Sequence, residues 1–216
     1  MTEAFRKDTT RTIRKTLNRF CSILLIVALG VGFFAGVRAT GNDMRDTASD
    51  YYTEYNSMDV KLLSSLGFSE KDVAAVQAVS GVKQVYAGKF VDCLTLCHDN
   101  FLTRVFSLPQ HPDSPETMNR LRVLEGRLPE AADECAIDQN VTDKYGFRVG
   151  QTLTLSPADP LDDLENDLEN TVYTIVGMVN SPMYVDMTRR GSTTVGDGSL
   201  DAYIYVPEEN FTAEYY

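Results

Sequence analysis

The stretch FCSILLIVALGVGFFAGV, residues 20–37, contains eighteen consecutive residues without a charged side chain. As an α-helix it would be roughly 27 Å long at ~1.5 Å per residue, which nearly matches a hydrocarbon core of about 30 Å. A soluble domain could use such a helix only by burying every face of it. The stretch therefore predicts a transmembrane helix over residues 20–39.

Charged side chains are divided unequally between the two sides of this helix. Residues 1–19 carry six basic and two acidic side chains, a net charge of +4. The whole chain carries −11, so the remaining residues carry −15. Because basic residues stay on the cytoplasmic side of a cell membrane, we expect residues 1–19 to be cytoplasmic and everything after Thr40 to be extracytoplasmic. The basic end suits an anionic lipid surface, and the acidic remainder disfavours nucleic acid as a partner.

A cleaved signal peptide is the alternative interpretation of this segment. The basic region is long, and the apolar run exceeds the ~7–15 residues usual in such peptides. Val37-Arg38-Ala39 is a poor cleavage site because Arg38 separates the two small positions. These features favour an uncleaved anchor.

Three small residues, Ala28, Gly32 and Gly36, recur at every fourth position of the apolar stretch and fall on one helix face. Small residues at this spacing allow a second membrane helix to approach closely. We therefore predict a helix-packing face here, although Gly and Ala are also common in membrane helices that pack against nothing.

Helical periodicity continues beyond the membrane. Apolar and aromatic residues recur on one face at Met44, Ala48, Tyr51, Tyr52 and Tyr55, with mostly charged residues on the other side. The pattern predicts a helical stalk over residues 40–57, with Gly41 as its weakest point.

The extracytoplasmic region, residues 58–216, alternates strand and helix signals. In a first lobe, residues 58–120, Ser69 and Asp72 form a capping-box pattern for a helix lined by Val73, Val76 and Val79 and ended by Gly81. Extended segments are predicted at 59–63, 82–96 and 101–108. The proline-rich stretch 109–116 marks the lobe boundary.

A second lobe, residues 121–216, repeats this alternation. Strands are predicted at 135–138, 152–156, 172–179 and 202–206, a helical turn at 140–145 closed by Gly146, and a final short helix with Pro207 at its first position. The predicted fold is mixed α/β, of the α+β type. It has one N-terminal transmembrane helix with a stalk and a two-lobed domain of mixed sheet and short helices.

The cysteines resemble a metal cluster only superficially. Cys93 and Cys97 on one strand would lie roughly 13 Å apart, too far to share a zinc ion even with His98 beside them. In an oxidising compartment Cys135 could pair with either Cys93 or Cys97, and the sequence leaves both pairings open. Cys21 lies within the apolar stretch.

The run DPLDDLENDLE, residues 159–169, holds six acidic side chains but lacks the glycine and terminal glutamate of a calcium loop. Leu161, Leu164 and Leu168, after Asp159 as cap and Pro160 at the first position, predict a short amphipathic helix in a solvated insertion.

Catalytic signals are absent from the sequence. The two histidines, His98 and His111, belong to no GxSxG or HExxH pattern, and there is no phosphate-binding GxxxxGK[ST]. We therefore predict no catalytic, cofactor-binding or metal-binding residues, and no enzymatic activity in this chain.

Several segments together resemble one family. RFCSILLIVALGVGFFAGVRATGNDMRDTASDYY, then DVKLLSS and GFSEKDV, resemble the first membrane helix and domain entry of FtsX/MacB-like ABC transporter permeases. LEGRLPEAADECAID, YGFRVGQTLTL, YTIVGMVNSP and AYIYVPEENF follow in the order of that family's extracytoplasmic core domain. No single motif is specific, but the combination covers nearly the whole chain. Such permeases carry further membrane helices after this domain, so the chain resembles an N-terminal piece of a longer permease, truncated within its domain.

The resemblance implies a permease subunit of an ABC transporter. A partner ATPase on the cytoplasmic side would hydrolyse ATP and draw two permease halves, or two permeases, together, and the stalks would carry that motion to the outer domain for export or extraction of a substrate. The alternative is a single-pass, membrane-anchored binding or sensor domain without transport activity. Further apolar spans beyond Tyr216 and a neighbouring ATPase gene would distinguish the two.

Overall fold

The computed structural model describes residues 3–159, 163–186, 190–213 and 215–216. The chain divides into two compact units, Met1–Tyr51 and Tyr52–Tyr216. Helix α1, Glu3–Lys15, lies in the first unit, and helix α2, Leu17–Glu54, begins there. The predicted membrane helix and most of the predicted stalk thus fall within a single helix of 38 residues.

Helix α2 is long and apolar enough to cross a membrane, by its length and composition, and none of its residues is buried. Gly41 does not interrupt it. The helix ends at Glu54, three residues before the predicted end of the stalk, because the backbone of Asn56 adopts the left-handed conformation (φ 45°).

The second unit is built around one seven-stranded sheet with short helices. Its helices are α3, Glu70–Gln77, and α4, Gln139–Tyr145. Its strands are β1 Phe90–Thr95, β2 Phe101–Leu108, β3 Arg122–Gly126, β4 Glu134–Asp138, β5 Thr152–Pro157, β6 Val172–Asn180 and β7 Ala202–Pro207. A long apolar helix followed by a sheet-rich domain with short helices confirms the predicted mixed α/β class.

Six of the seven strands close into a ring. The order is β3-β6-β4-β7-β2-β1-β5, and β5 also pairs with β6. β4 pairs with one edge of β6. Two strands share the other edge of β6: β5 pairs with the first residues of β6, and β3 pairs with its last residues. The ring is a small closed barrel, and β3 lies outside it as an extension of β6.

Alternation along the strands separates two apolar clusters. Side chains such as Val105, Ile137, Leu153, Tyr173 and Ile204 point into the barrel and fill it. Other positions of these strands, with Leu121 just before β3, form a second cluster on the outer face. It includes Phe106, Leu108, Leu121, Ala136, Val179, Tyr203 and Tyr205. We call this second group the outer-face cluster.

One sheet takes strands from both of the predicted lobes, residues 58–120 and 121–216. Strands β1 and β2 of the first predicted lobe lie between β7 and β5 of the second. β2 pairs in parallel with β7, which is about a hundred residues later in the chain. One sheet therefore contains both predicted lobes, because the pairing that joins them is long-range and leaves no local pattern.

Local predictions before β1 have mixed outcomes. The capping box of α3 is confirmed: the Ser69 side chain accepts from the Asp72 N–H, and Asp72 accepts from the Ser69 N–H. The strand predicted at 59–63 is wrong, since that segment is irregular and Val60 and Leu62 are 73% and 55% exposed. Val79 is also exposed, because α3 ends before it, at Gln77.

The acidic run is anchored by its leucines. Pro160 and Leu161 lie outside the described residues. Leu164, in a 3-10 turn capped by Asp163, and Leu168 are both buried in the barrel cluster. The described part of the run, residues 163–169, thus buries its leucines, and a short 3-10 turn at Leu164–Asn166 stands where a longer amphipathic helix was predicted.

A salt bridge closes the connection between β3 and β4. Arg127 Nη1 donates to Glu134 Oε2 at 2.7 Å, and the Glu130 N–H donates to the same oxygen. The hydrogen bond from Arg127, with those from the backbone, lowers the pKa of Glu134 to about 2. The carboxylate therefore stays ionised and keeps this connection closed over the physiological pH range.

Candidate functional site: the end of the long helix

The C-terminal end of α2 is a Schellman motif built on asparagine. Asn56, left-handed at φ 45°, donates its N–H to the Thr53 carbonyl, and Ser57 donates to the Tyr52 carbonyl at 2.9 Å. Glycine is usual at the left-handed position, but asparagine tolerates it too. The chain therefore leaves the helix in one defined direction.

A loop of the sheet domain, residues 116–120, receives this helix end. The Arg120 N–H donates to the Tyr55 carbonyl and the Asn119 N–H to the Asn56 carbonyl, both at 3.0 Å. Arg120 Nη2 donates to the Glu54 carbonyl at 2.8 Å. Carbonyls that a helix end leaves without helical partners are thus bonded by the domain itself.

Side-chain amides hold the same loop from both sides. Asn56 Nδ2 donates to the Glu116 carbonyl at 2.9 Å, and Gln84 Nε2 donates to the same oxygen at 3.3 Å. Asn119, also left-handed (φ 54°), accepts from the Met58 N–H through Oδ1 at 3.0 Å. We call Tyr52–Met58 together with residues 116–120 and Gln84 the junction.

Arg120 is the central side chain of the junction. Its guanidinium lies 5.5 Å from the centre of the Tyr55 ring, in addition to the bond to Glu54. Arg120 Nε and Ser57 Oγ are the buried side-chain polar atoms that lack a protein hydrogen-bond partner in the described part of the chain. Both lie in the junction, so its polar contacts are less completely satisfied than those of the sheet.

The junction continues directly into the sheet. Leu121, next to Arg120, is buried in the outer-face cluster, and β3 begins at Arg122. At the far end of β3, Gly126 faces Gly177 of β6 so closely that a Cβ on Gly177 would lie 2.1 Å from the Arg127 carbonyl oxygen. Only glycine allows this approach, which ties β3 to the barrel.

A buried ion pair supports the outer face of the barrel. Asp138 is fully buried at the end of β4, and Arg190 is 3% exposed. Arg190 donates to both carboxylate oxygens, from Nε to Oδ2 and from Nη2 to Oδ1 at 3.0 Å, and Oδ1 also accepts from the Asn140 N–H that begins α4. Burial works against the charge, but the hydrogen bond and charge of Asp138 outweigh it, so the pKa of Arg190 is raised.

The residues predicted from the sequence lie elsewhere. Ala28, Gly32 and Gly36 lie along the exposed surface of α2, and a Cβ on either glycine would meet nothing within 4 Å. Reasoning from the sequence missed the junction. Asn56, placed directly after the helical periodicity, was a readable stop signal, whereas nothing near Arg120 in the sequence indicates its partner.

The thiol groups form no bridge. All four cysteines are free, so neither pairing left open for Cys135 is present. Cys93 and Cys135 are buried in the barrel, where desolvation raises the pKa of each thiol. No group of three or more His, Cys, Asp or Glu side chains in the described ranges is placed to hold a metal ion.

Comparison with known proteins identifies the family. A family model described as MacB-like periplasmic core domain matches residues 22–216. Among solved structures, the extracellular domain of the noncanonic ABC-type transporter YknZ from Gram-positive bacteria is 15% identical, with a TM-score of 0.37, over 73% of this chain and 77% of that one. A domain of a putative permease protein from Porphyromonas gingivalis is 15% identical, with a TM-score of 0.34, over 62% of this chain and 50% of that one.

No curated protein matches the chain significantly. The family model, in contrast, covers everything from Ser22 onward and so includes most of α2 and the whole sheet. The chain belongs to the MacB-like periplasmic core domain family, the extracytoplasmic domains of ABC transporter permeases of the MacB/FtsX kind.

Proposed function

We propose that this chain is part of the transmembrane permease subunit of an ABC transporter, and that its outer domain is moved by ATP hydrolysis in a partner ATPase to export or extract a substrate. The observation that carries the proposal is the junction. Three consecutive carbonyls at the end of α2, from Glu54 to Asn56, accept hydrogen bonds from the domain. A flexible tether between an anchor and a binding domain would need no such contacts.

The motion is proposed to pass from α2 to the barrel through covalent connections and hydrogen bonds. α2 is one helix from Leu17 to Glu54, so a tilt of its membrane part would reach the junction. From there Leu121 and β3 connect to β6 and the barrel. ATP hydrolysis is assigned to a partner chain because the family is a permease component of ABC transporters. Two permeases, or two halves, would act as a pair.

The test compares nucleotide states of the full-length permease bound to its ATPase. We expect spin labels at Thr152→Cys, an exposed position at the start of β5, to report different distances between paired domains in the ATP-bound and nucleotide-free states. Cys21 and Cys97 would be replaced by serine, and the buried Cys93 and Cys135 would remain. One unchanged distance distribution in all nucleotide states would refute the transport proposal and favour an anchored binding or sensor domain.

We further propose that the N-terminus is cytoplasmic and the sheet domain extracytoplasmic. The support is the basic segment before α2 and the acidic region after it. In intact cells, a membrane-impermeant thiol reagent should label Ser114→Cys and miss Thr9→Cys. The opposite labelling pattern would reverse the orientation.

The face formed by Ala28, Gly32 and Gly36 is proposed to pack against another membrane helix. Gly32→Leu should reduce association of permease helices, measured by crosslinking, while leaving membrane insertion intact, because a leucine separates backbones that otherwise touch. Val31→Leu, on a different face, is the matched control. Equal crosslinking by the two variants would show that the glycines form no interface.

A further inference from the structure

Helix α1 has two chemically different faces. One side of the helix carries Arg6, Lys7, Thr10, Arg11, Arg14 and Lys15, with Glu3. At 3.6 residues per turn, Phe5, Thr9, Thr12 and Ile13 fall on the opposite side. Phe5 is 56% exposed, and the Thr9 hydroxyl donates to the Phe5 carbonyl at 2.9 Å. The helix is therefore amphipathic and strongly basic.

The helical hydrogen-bond ladder is interrupted between α1 and α2. Thr16 is a turn residue that belongs to neither helix. Its N–H donates to the Thr12 and Ile13 carbonyls, and its carbonyl accepts from the Phe20 N–H. The Thr16 hydroxyl also donates to the Thr12 carbonyl, a contact that bends helices. A bend is thus available within the four residues that precede the apolar stretch.

The position of this break places α1 close to the membrane segment. Residues 16–19 separate α1 from Phe20, the first residue of the apolar stretch, which is a distance of about 6 Å along a helix. α1 carries five basic and two acidic side chains, and Arg19 adds a further charge. A membrane surface therefore lies within reach of the whole basic face.

We propose that α1 lies along the membrane surface and binds anionic lipid headgroups. The arginines would donate paired hydrogen bonds to lipid phosphates, and Phe5 and Ile13 would enter the boundary between headgroups and acyl chains. A protein partner fits α1 less well than a lipid surface does. A helix that binds a protein groove presents large apolar residues at successive turns, and α1 has threonines at two of these four positions.

The chain contains no tryptophan, which allows a clean test in the full chain reconstituted into vesicles. We expect the emission of Phe5→Trp to shift to shorter wavelength, and to be quenched by brominated acyl chains, in vesicles with phosphatidylglycerol but not in pure phosphatidylcholine. Thr10→Trp, on the basic face, is the matched control and should be quenched much less. Vesicles have the same lipids in both leaflets, so the result does not depend on orientation or transport.

Charge-reversal variants of α1 provide the second part of this test. In the Phe5→Trp background, each of Arg11→Glu and Arg14→Glu should lower the ratio of surface-bound to free α1 at least about fivefold, because one basic residue near an anionic leaflet contributes ~1 kcal/mol. Free inorganic phosphate added to phosphatidylcholine vesicles should have no effect. Equal emission in both lipid mixtures would overturn the proposal, as would a shift that requires the partner ATPase and not anionic lipid.

Discussion

Asp138→Ala is expected to lower the free energy of unfolding of the sheet domain by about 3–5 kcal/mol. The substitution removes the carboxylate that accepts from Arg190 and leaves that guanidinium buried without a counter-charge. It also removes the oxygen that accepts from the Asn140 N–H at the start of α4, a helix cap worth ~1 kcal/mol on average. Domains are stable by only about 5–15 kcal/mol, so the loss is a large fraction of the total.

The measurement is denaturant unfolding of residues 52–216, which contain both apolar clusters and are expected to fold alone. Lys144→Ala is the matched control. This substitution breaks the salt bridge between Lys144 and Asp201, whose side chains are 62% and 31% exposed respectively. It should change the free energy of unfolding by less than about 1 kcal/mol.

A double variant separates the buried charge from simple loss of contacts. Arg190→Met added to Asp138→Ala should restore part of the lost stability, because it removes the unpaired cation. If the two substitutions instead destabilise additively, or if Asp138→Ala alone has no measurable effect, the pair does not stabilise the outer face in the way described.

Elements whose signals are local could be predicted from the sequence. The apolar stretch gave the long helix, Ser69 and Asp72 gave the start of α3, and alternation gave β5. Gly146 was predicted to close the helical turn at 140–145, and it does so, in the left-handed conformation. Each of these depends on residues within a few positions of one another, so one sequence suffices to find them.

The closed barrel and the junction could not be predicted, because both depend on contacts between distant residues. β2 finds β7, and β5 finds β6, through strand pairing that no local pattern specifies. Asp138 and Arg190 are 52 residues apart, and Glu54 and Arg120 are 66 apart. In a single sequence Asp138, Arg190 and Arg120 each look like an ordinary surface charge.

Disruption of the junction is expected to uncouple ATP hydrolysis from movement of the outer domain, if the transport proposal is correct. Arg120→Ala removes the bond to the Glu54 carbonyl and the contact with the Tyr55 ring. A hydrogen bond from a charged group is worth about 2 kcal/mol, which corresponds to roughly thirtyfold in the equilibrium between attached and detached helix end. The backbone bonds from Asn119 and Arg120 remain, so the domain itself should stay folded.

The distances between Thr152→Cys spin labels provide the measurement, together with the ATPase rate of the same complex. We expect Arg120→Ala to retain ATP hydrolysis and to lose most of the nucleotide-dependent change in distance. Arg122→Ala, two residues further on exposed β3, should keep both. Both variants remove one positive charge, at positions two residues apart. They differ in that only Arg120→Ala removes a bond to the end of α2. A normal distance change in Arg120→Ala would show that motion reaches the barrel by a route other than the junction.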